Sequence, residues 1–450
     1  MPDPSSDDRP RALSNKTIFL FWAPLAATWL MMAAEGPFLA AVIARLDEPT
    51  LGLAAYGVAL AIAVLVESPV IMLMGAVTAL LEDATSYRRL RAFANGLNAF
   101  ATGLLLVVLI PSVHRWLFDI VLGLPDDVAR MTYGALWCFL PWPAAIGYRR
   151  FLQGVLIRSG RTRLVAYGTV IRLLGMATAA VVWGPIVGLP GARVGAAALS
   201  SGVVLEALAA RWMARGSIRQ TLAKGPHETG PRLEYREIAA FYYPLALTSL
   251  LGLSISPLLT FFMGRSTSPV QSLAVFPVVH ALVFLFRALG LSFQDAAIAL
   301  LGRGREGYDA IARFALLMGV GATALYGVLV LTPLADLWFR TVSGLSIELA
   351  AFALPAARVV APLPFLGVWL SLQRGVLMRN RRTRPITFAT GAEVLVIGVS
   401  FVSLAWGVGT VGVTAAFAAI LLGRVSSNAY LIRHTRRLLR TSVERHVHLP

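Results

Sequence analysis

The chain has a single cysteine, Cys138, so no internal disulfide can hold it together. Lysine is nearly missing as well: of 40 basic residues, all but Lys16 and Lys224 are arginine. Charge of any kind is scarce. Asp, Glu, Lys and Arg make up 14% of the 450 residues and hydrophobic types 57%, whereas soluble domains carry about 25% charged residues. A soluble fold so poor in charge would expose large apolar patches, so most of this surface must face lipid. Other absences narrow the chemistry. No His/Cys cluster has metal-ligand spacing, and no nucleophile motif appears. Gly302-Arg-Gly-Arg-Glu-Gly307 spells a dinucleotide-loop pattern, but it follows an apolar helix rather than a strand and reads as a turn. The adjacent acids Asp126 and Asp127 read as a helix cap rather than a glycosyltransferase pair. No cofactor or metal is expected, beyond a coupling H+ or Na+.

What the chain does have is a series of apolar runs long enough to cross a bilayer. They fall at about 17–44, 51–81, 92–113, 129–157, 164–184 and 192–214, then 237–263, 269–299, 310–335, 347–378, 385–407 and 409–432. The first run is too long for a cleaved signal and reads as an uncleaved span. The expected fold is all-α, a polytopic membrane protein of 12 spans. Its segments are an N-terminal tail (1–16), an N-lobe (17–214), a linker (215–236), a C-lobe (237–432) and a basic tail (433–450).

The net charge of +17 would suggest nucleic acid in a soluble protein. Here the basic residues sit in short segments between apolar runs, which is the pattern of topogenic charge, and no nucleic-acid partner is expected. Assigning alternate loops to opposite sides places 30 basic residues on one side and six on the other: Arg45, Arg115, Arg130, Arg193, Arg265 and Arg340. That split predicts that both termini and the linker are cytoplasmic, in a multi-pass protein of the inner (plasma) membrane.

The halves repeat each other. Between Pro24 and Pro49, adding 220 gives a gapless match with nine identities in 26 positions, pairing Pro37 with Pro257 and Arg45 with Arg265. Gly154-Val-Leu-Ile-Arg-Ser-Gly-Arg-Thr-Arg163 matches Gly375-Val-Leu-Met-Arg-Asn-Arg-Arg-Thr-Arg384 at seven of ten positions. With six spans per half, the repeats are parallel and related by an axis along the membrane normal. Two such bundles enclose a central cavity, which rocking of one lobe against the other would expose to each side in turn.

A parallel 6+6 repeat, a proline-kinked first helix in each half (Pro37, Pro257) and the shared Gly-Val-Leu-x-Arg-x-x-Arg-Thr-Arg motif resemble the multidrug and toxin extrusion (MATE)-like fold. That fold belongs to the multidrug/oligosaccharidyl-lipid/polysaccharide exporter superfamily. Within it, Phe241-Tyr-Tyr-Pro-Leu-Ala-Leu247 and the Ser256-Pro257 kink are most similar to the progressive ankylosis protein family. The resemblance spans residues 17 to about 432 and implies a secondary transporter. Members near the ankylosis family are implicated in exporting small polyanions, MATE members exchange organic cations for protons or sodium, and the flippases move lipid-linked sugars. The resemblance also implies an acidic coupling residue on the first helix, and Glu35 holds that position.

Ionisable groups inside the bilayer are costly and point to function. Glu35 lies mid-span beside Gly36 and Pro37, and its repeat partner is Ile255. Glu67 aligns with Arg287 and Arg172 with Glu393, so each pair of equivalent sites carries opposite charge. Glu67 and Arg287 could meet in one state and part in the other, or each could be paired within its own lobe. His280 offers titration near neutral pH, or simple packing. Arg149, Arg150, Arg172, Arg287, Arg358, Arg374 and Arg424 would form a cationic cavity suited to a polyanion, with Glu393 and His280 alongside, or several could be membrane-face anchors. The expected function is an alternating-access exporter of a small organic or phosphorylated anion, acting as a monomer on a small molecule. The alternatives are a proton- or sodium-coupled organic-cation antiporter, a lipid-linked oligosaccharide flippase, a membrane-embedded enzyme and a non-transporting scaffold. An enzyme would need acids or histidines converging at one membrane face.

Overall fold

The structure, a computed structural model, describes residues 14–223, 233–301, 307–380 and 382–447. Arg9, Arg11, Lys224, Arg232, Arg303, Arg305, Arg381 and most of the Gly302–Gly307 turn lie outside the described residues. Among the described residues every regular element is helical. The first half runs α1 (Asn15–Ala33), α2 (Glu35–Ile43), α3 (Pro49–Glu67), α4 (Leu73–Leu80), α5 (Ala84–Val108), α6 (Pro111–Arg115), α7 (Asp126–Cys138), α8 (Trp142–Arg158), α9 (Thr162–Val181) and α10 (Gly191–Met213). Helix α11 (Arg215–Ala223) follows within the expected linker. The second half runs α12 (Tyr235–Leu253), α13 (Ile255–Gly264), α14 (Pro269–Leu300), α15 (Tyr308–Leu331), α16 (Leu334–Asp336), α17 (Ile347–Val359), α18 (Leu363–Arg379), α19 (Arg384–Val402) and α20 (Gly412–Val447). Helix α20 continues without a break from the last span into the basic tail.

The repeat reaches the backbone. Pro37 and Pro257 have no N–H to give the carbonyl four residues back, and the first span of each half is broken there, between α1 and α2 and between α12 and α13. Glu48 and Ser268, each just before a proline that opens a helix, both take left-handed backbone angles, φ 48° and φ 53°. Wide π-helical turns at Trp116–Val121 and Val182–Ile186 recur at Leu337–Val342 and Ser403–Gly407, each displaced by 221 residues. One element differs: Pro69 ends α3 at Glu67, while its counterpart α14 runs unbroken through Arg287.

Among the described residues ten helical stretches are long and apolar enough to cross a membrane, and α17 with α18, bent by 43°, makes an eleventh. The twelfth expected span, 129–157, is α7 with α8, and it falls outside that set. Trp137, Pro141, Trp142, Pro143 and Tyr148 dilute its aliphatic content, which leaves it less hydropathic than the other spans.

The two bundles, α1–α10 and α12–α20, meet where α1 and α3 pack on α14. These helices cross where Gly57 lies against Pro277, its own repeat partner; a Cβ on Gly57 would stand 3.1 Å from the Pro277 ring. A larger residue there would pry the seam apart. Each half's opening helix also rests on the other half at the arginine-rich end. Trp22 Nε1 donates to Ser292 Oγ at 2.8 Å and Trp29 Nε1 to Asp295 Oδ2 at 3.3 Å, tying α1 to α14. In return the Tyr242 hydroxyl donates to the Pro69 carbonyl, and its ring meets Phe93 edge-on.

Candidate functional site

The charged residues inside the first bundle gather around Glu206, which is fully buried on α10. Arg149 Nη1 donates to its Oε2 at 2.5 Å, Gln153 Nε2 donates to its Oε1 at 3.1 Å, and Arg172 Nε lies 3.5 Å from Oε2. Arg172 turns its other arm to Glu35 at the start of α2, an ion pair of 2.5 Å without the alignment of a hydrogen bond. Glu67, at the last residue of α3, is 5% exposed and lies in the field of Arg149, Arg150 and Arg172. Its Oε2 has no hydrogen-bond partner; the Trp142 indole interacts with the carboxylate, but its N–H misses strict hydrogen-bond geometry. Three guanidiniums thus stand against three carboxylates, and the cluster balances. That balance is what makes its burial tolerable.

The second bundle does not balance. Arg424 on α20 pairs with Glu393 on α19 at 3.1 Å. Among the described residues Arg374 on α18 reaches the Thr390 hydroxyl, at 3.4 Å, and no carboxylate. Arg287 on α14 makes no ion pair with a described carboxylate; its guanidinium lies 6.0 Å from the centre of the Phe284 ring. Three arginines face one glutamate. The equivalent helix pairs α9–α10 and α19–α20 therefore each hold an ion pair, Arg172 with Glu206 and Glu393 with Arg424, with the polarity reversed.

A cavity of about 450 Å³ separates the two clusters. Of the residues expected from sequence, Glu35, Glu67, Arg172, His280, Arg287 and Glu393 line it. Arg150 and Arg374 stand outside the lining: Arg150 faces the Met74 sulfur at 3.8 Å, and Arg374 faces Thr390. Pro37 and Pro257 break the helices that carry Glu35 and Ile255 to its wall. Glu67 and Arg287 share the cavity on opposite helices without forming an ion pair. Two matched rows flank the α3–α14 crossing, Tyr56, Leu60, Val64 and Glu67 on α3 and Phe276, His280, Phe284 and Arg287 on α14. Each residue of one row is the repeat partner, at +220, of the corresponding residue of the other.

The arginine-poor end is closed by a contact the sequence showed only as a matched pair. Arg45 Nη2 crosses from just past the end of α2 to the second bundle and donates to the Thr341 and Val342 carbonyls at 2.6 and 3.1 Å, while Nη1 donates to Ala41 O at 2.7 Å. Arg265 crosses the other way and donates to the Ile120 carbonyl at 2.6 Å. Both targets lie in the wide turns that end a helix, where carbonyls lack helical donors and the dipole favours a cation. Gly344 and Gly123, at φ 74° and φ 62°, leave the room: a Cβ there would stand 2.7 and 3.1 Å from the incoming guanidinium. The +220 match of the two arginines was the available signal. That they bridge lobes was not in it.

Neither a protein-family profile nor a curated protein sequence matches the chain. Solved structures do. A multidrug resistance MATE transporter of the MOP superfamily in an inward-facing conformation superposes with TM-score 0.71 at 12% identity, over 94% of this chain and 99% of that one. The lipid II flippase MurJ, in an inward closed conformation, gives 0.66 at 13% identity, over 94% and 91%. A MOP superfamily transporter from Pyrococcus furiosus, whose reversed pocket polarity is reported to suggest a different function, gives 0.62 at 13% identity, over 96% and 97%. The fold is that of MATE transporters, and the chain is a multi-pass membrane protein.

Proposed function

We propose that this chain is an alternating-access secondary transporter that carries a small organic or phosphorylated anion through the cavity between its lobes. The observation that carries the reading is Arg287, a guanidinium in the cavity wall that pairs with no described carboxylate, backed by an interior cluster of three arginines, Arg287, Arg374 and Arg424, with one glutamate, Glu393. A cation held at mid-membrane in a cavity wall without a counter-charge is costly, and a bound anion lowers the cost. The arginine-rich end is read as cytoplasmic and the protein as a monomer of the inner membrane. With the other end latched by Arg45 and Arg265, we read the conformation as inward-facing.

Glu35 serves as the coupling group. It shares Arg172 with Glu206, so protonating Glu35, or binding Na+ there, frees Arg172 to move wholly to Glu206 and alters contacts that hold α2 to α9. A charge change tied to a conformational contact is what coupling requires. The competing reading, organic-cation antiport, draws on Glu67, whose Oε2 is unsatisfied in the same cavity. A flippase would want an opening between the first helix and α14; that seam is closed by Trp22 and Trp29.

Proteoliposomes test the choice. Uptake of citrate, pyrophosphate and nucleotides, measured against lipophilic cations under imposed proton and sodium gradients, should favour the anions. Glu35→Gln should abolish the response to the gradient while the protein still folds. Full gradient-driven uptake by that variant removes Glu35 from the mechanism, and cation uptake with no anion uptake overturns the substrate reading.

A further inference from the structure

We infer that the site takes an aromatic organic monoanion, such as an arenecarboxylate, rather than a compact polyanion; this narrowing rests on the anion reading above. The two cavity rows differ in kind. On α14, Phe276, His280 and Phe284 stack in succession, with ring centres 5.7 Å and then 6.4 Å apart and planes within 27° and 13°. Such spacing usually signals core packing. Here all three rings border the cavity, and the ladder ends at Arg287, whose guanidinium sits beside the Phe284 ring. The facing α3 row is aliphatic beyond Tyr56, with Leu60 and Val64 ahead of Glu67. The space between is a slot with an aromatic wall, an aliphatic wall and a cation at the end of the aromatic one that lies farther from the Arg45–Arg265 latch.

Charge count sets the ligand's valence. Arg424 is committed to Glu393, Arg172 is shared by Glu35 and Glu206, and Arg374 lies outside the lining. One guanidinium is left for one anionic group. A second negative charge would lie among apolar side chains or toward Glu67, and burying an unpaired charge is expensive. A flat ring system laid along the ladder gains stacking that a compact polyanion cannot. The cavity volume suits a molecule of one to three rings.

The experiment uses full-length protein in nanodiscs and the fluorescent probe 2-naphthoate, with cyclohexanecarboxylate, citrate, pyrophosphate and 2-naphthylmethylammonium as competitors. Naphthoate should bind at least about tenfold tighter than cyclohexanecarboxylate. Phe284→Leu should reduce that preference, Phe284→Tyr should keep it, and Arg287→Gln should weaken naphthoate about tenfold or more. Variants are compared only if they elute as wild type in size exclusion. Equal affinity for naphthoate and cyclohexanecarboxylate, an unchanged preference in Phe284→Leu, or no saturable naphthoate binding overturns the inference. Tighter, Arg287-dependent binding of citrate or pyrophosphate overturns it and leaves the anion reading standing. Preference for naphthylmethylammonium overturns both.

Discussion

Replacing Glu206 with glutamine should cost about 3–5 kcal/mol of stability, the range for removing one partner of a buried ion pair. Glu206 is fully buried, and Arg149, 3% exposed, has its hydrogen-bonded carboxylate there. Glutamine keeps the shape and can still receive one hydrogen bond, but it leaves Arg149 with no carboxylate in ion-pair contact. Arg172 keeps Glu35. A loss of that size is a large share of the ordinary 5–15 kcal/mol of a folded protein. It should appear as a sharp drop in the thermal midpoint and in the monodisperse fraction in detergent. The double change Glu206→Met with Arg149→Met should recover much of the loss, because a buried pair replaced by apolar side chains of like volume is often neutral. If Glu206→Gln melts with the wild type, the cluster is not what holds α8, α9 and α10 together.

The second large effect concerns the balance between conformations. Arg45→Ala together with Arg265→Ala removes three hydrogen bonds that cross between the lobes at the arginine-poor end. At roughly 1 kcal/mol each for partly solvated bonds, about 3 kcal/mol of bias toward the latched state disappears, a shift of roughly a hundredfold in the ratio of states. In a Cys138→Ala background, a cysteine placed at Leu60 reports the change. Leu60 lines the cavity beyond the Gly57–Pro277 crossing, so an impermeant maleimide added outside reaches it only when that end opens. Labelling should accelerate at least about tenfold in the double variant, with each single variant intermediate. Unchanged labelling would mean that the lobes are held by the α3–α14 seam and that the arginines are incidental. The two single variants need not be equal, since Arg45 crosses with two bonds and Arg265 with one.

Much of this was readable in the chain before any coordinates. The helical, duplicated architecture follows from apolar runs and from the +220 match, and both proline breaks fall where a missing donor dictates. The inverted charges at Glu67 and Arg287, and at Arg172 and Glu393, are visible as soon as the halves are aligned. What escaped the sequence depends on how packed helices rotate. Arg149 and Arg150 are neighbours in sequence, yet α8 turns Arg149 into Glu206 and Arg150 toward Met74, and only helix register decides which. Glu206 shows its partners only once α8, α9 and α10 are placed side by side. Arg45 and Arg265 were legible as a conserved pair of repeat positions and looked like loop charges. Their reach depends on where the partner lobe's wide turns fall, which is set by the α3–α14 crossing. The span at 129–157 is the weakest of the apolar runs, and its place in the repeat opposite α17–α18 supports it.

The matched rows beside that crossing carry one more consequence. Had the halves stayed identical, as in two copies of a half-length chain meeting about a two-fold axis, each position near the axis would face its own duplicate. Two glutamates or two arginines would then share the slot, and like charges at close range in a poor dielectric repel strongly. Carrying both halves on one polypeptide lifts that restriction, because each site can be chosen without regard to its twin. Glu67 opposite Arg287, and an aliphatic row opposite an aromatic one, are choices open only to such a fused chain. The departure from symmetry gives the slot two distinguishable walls, and hence the means to hold an asymmetric molecule in a single orientation.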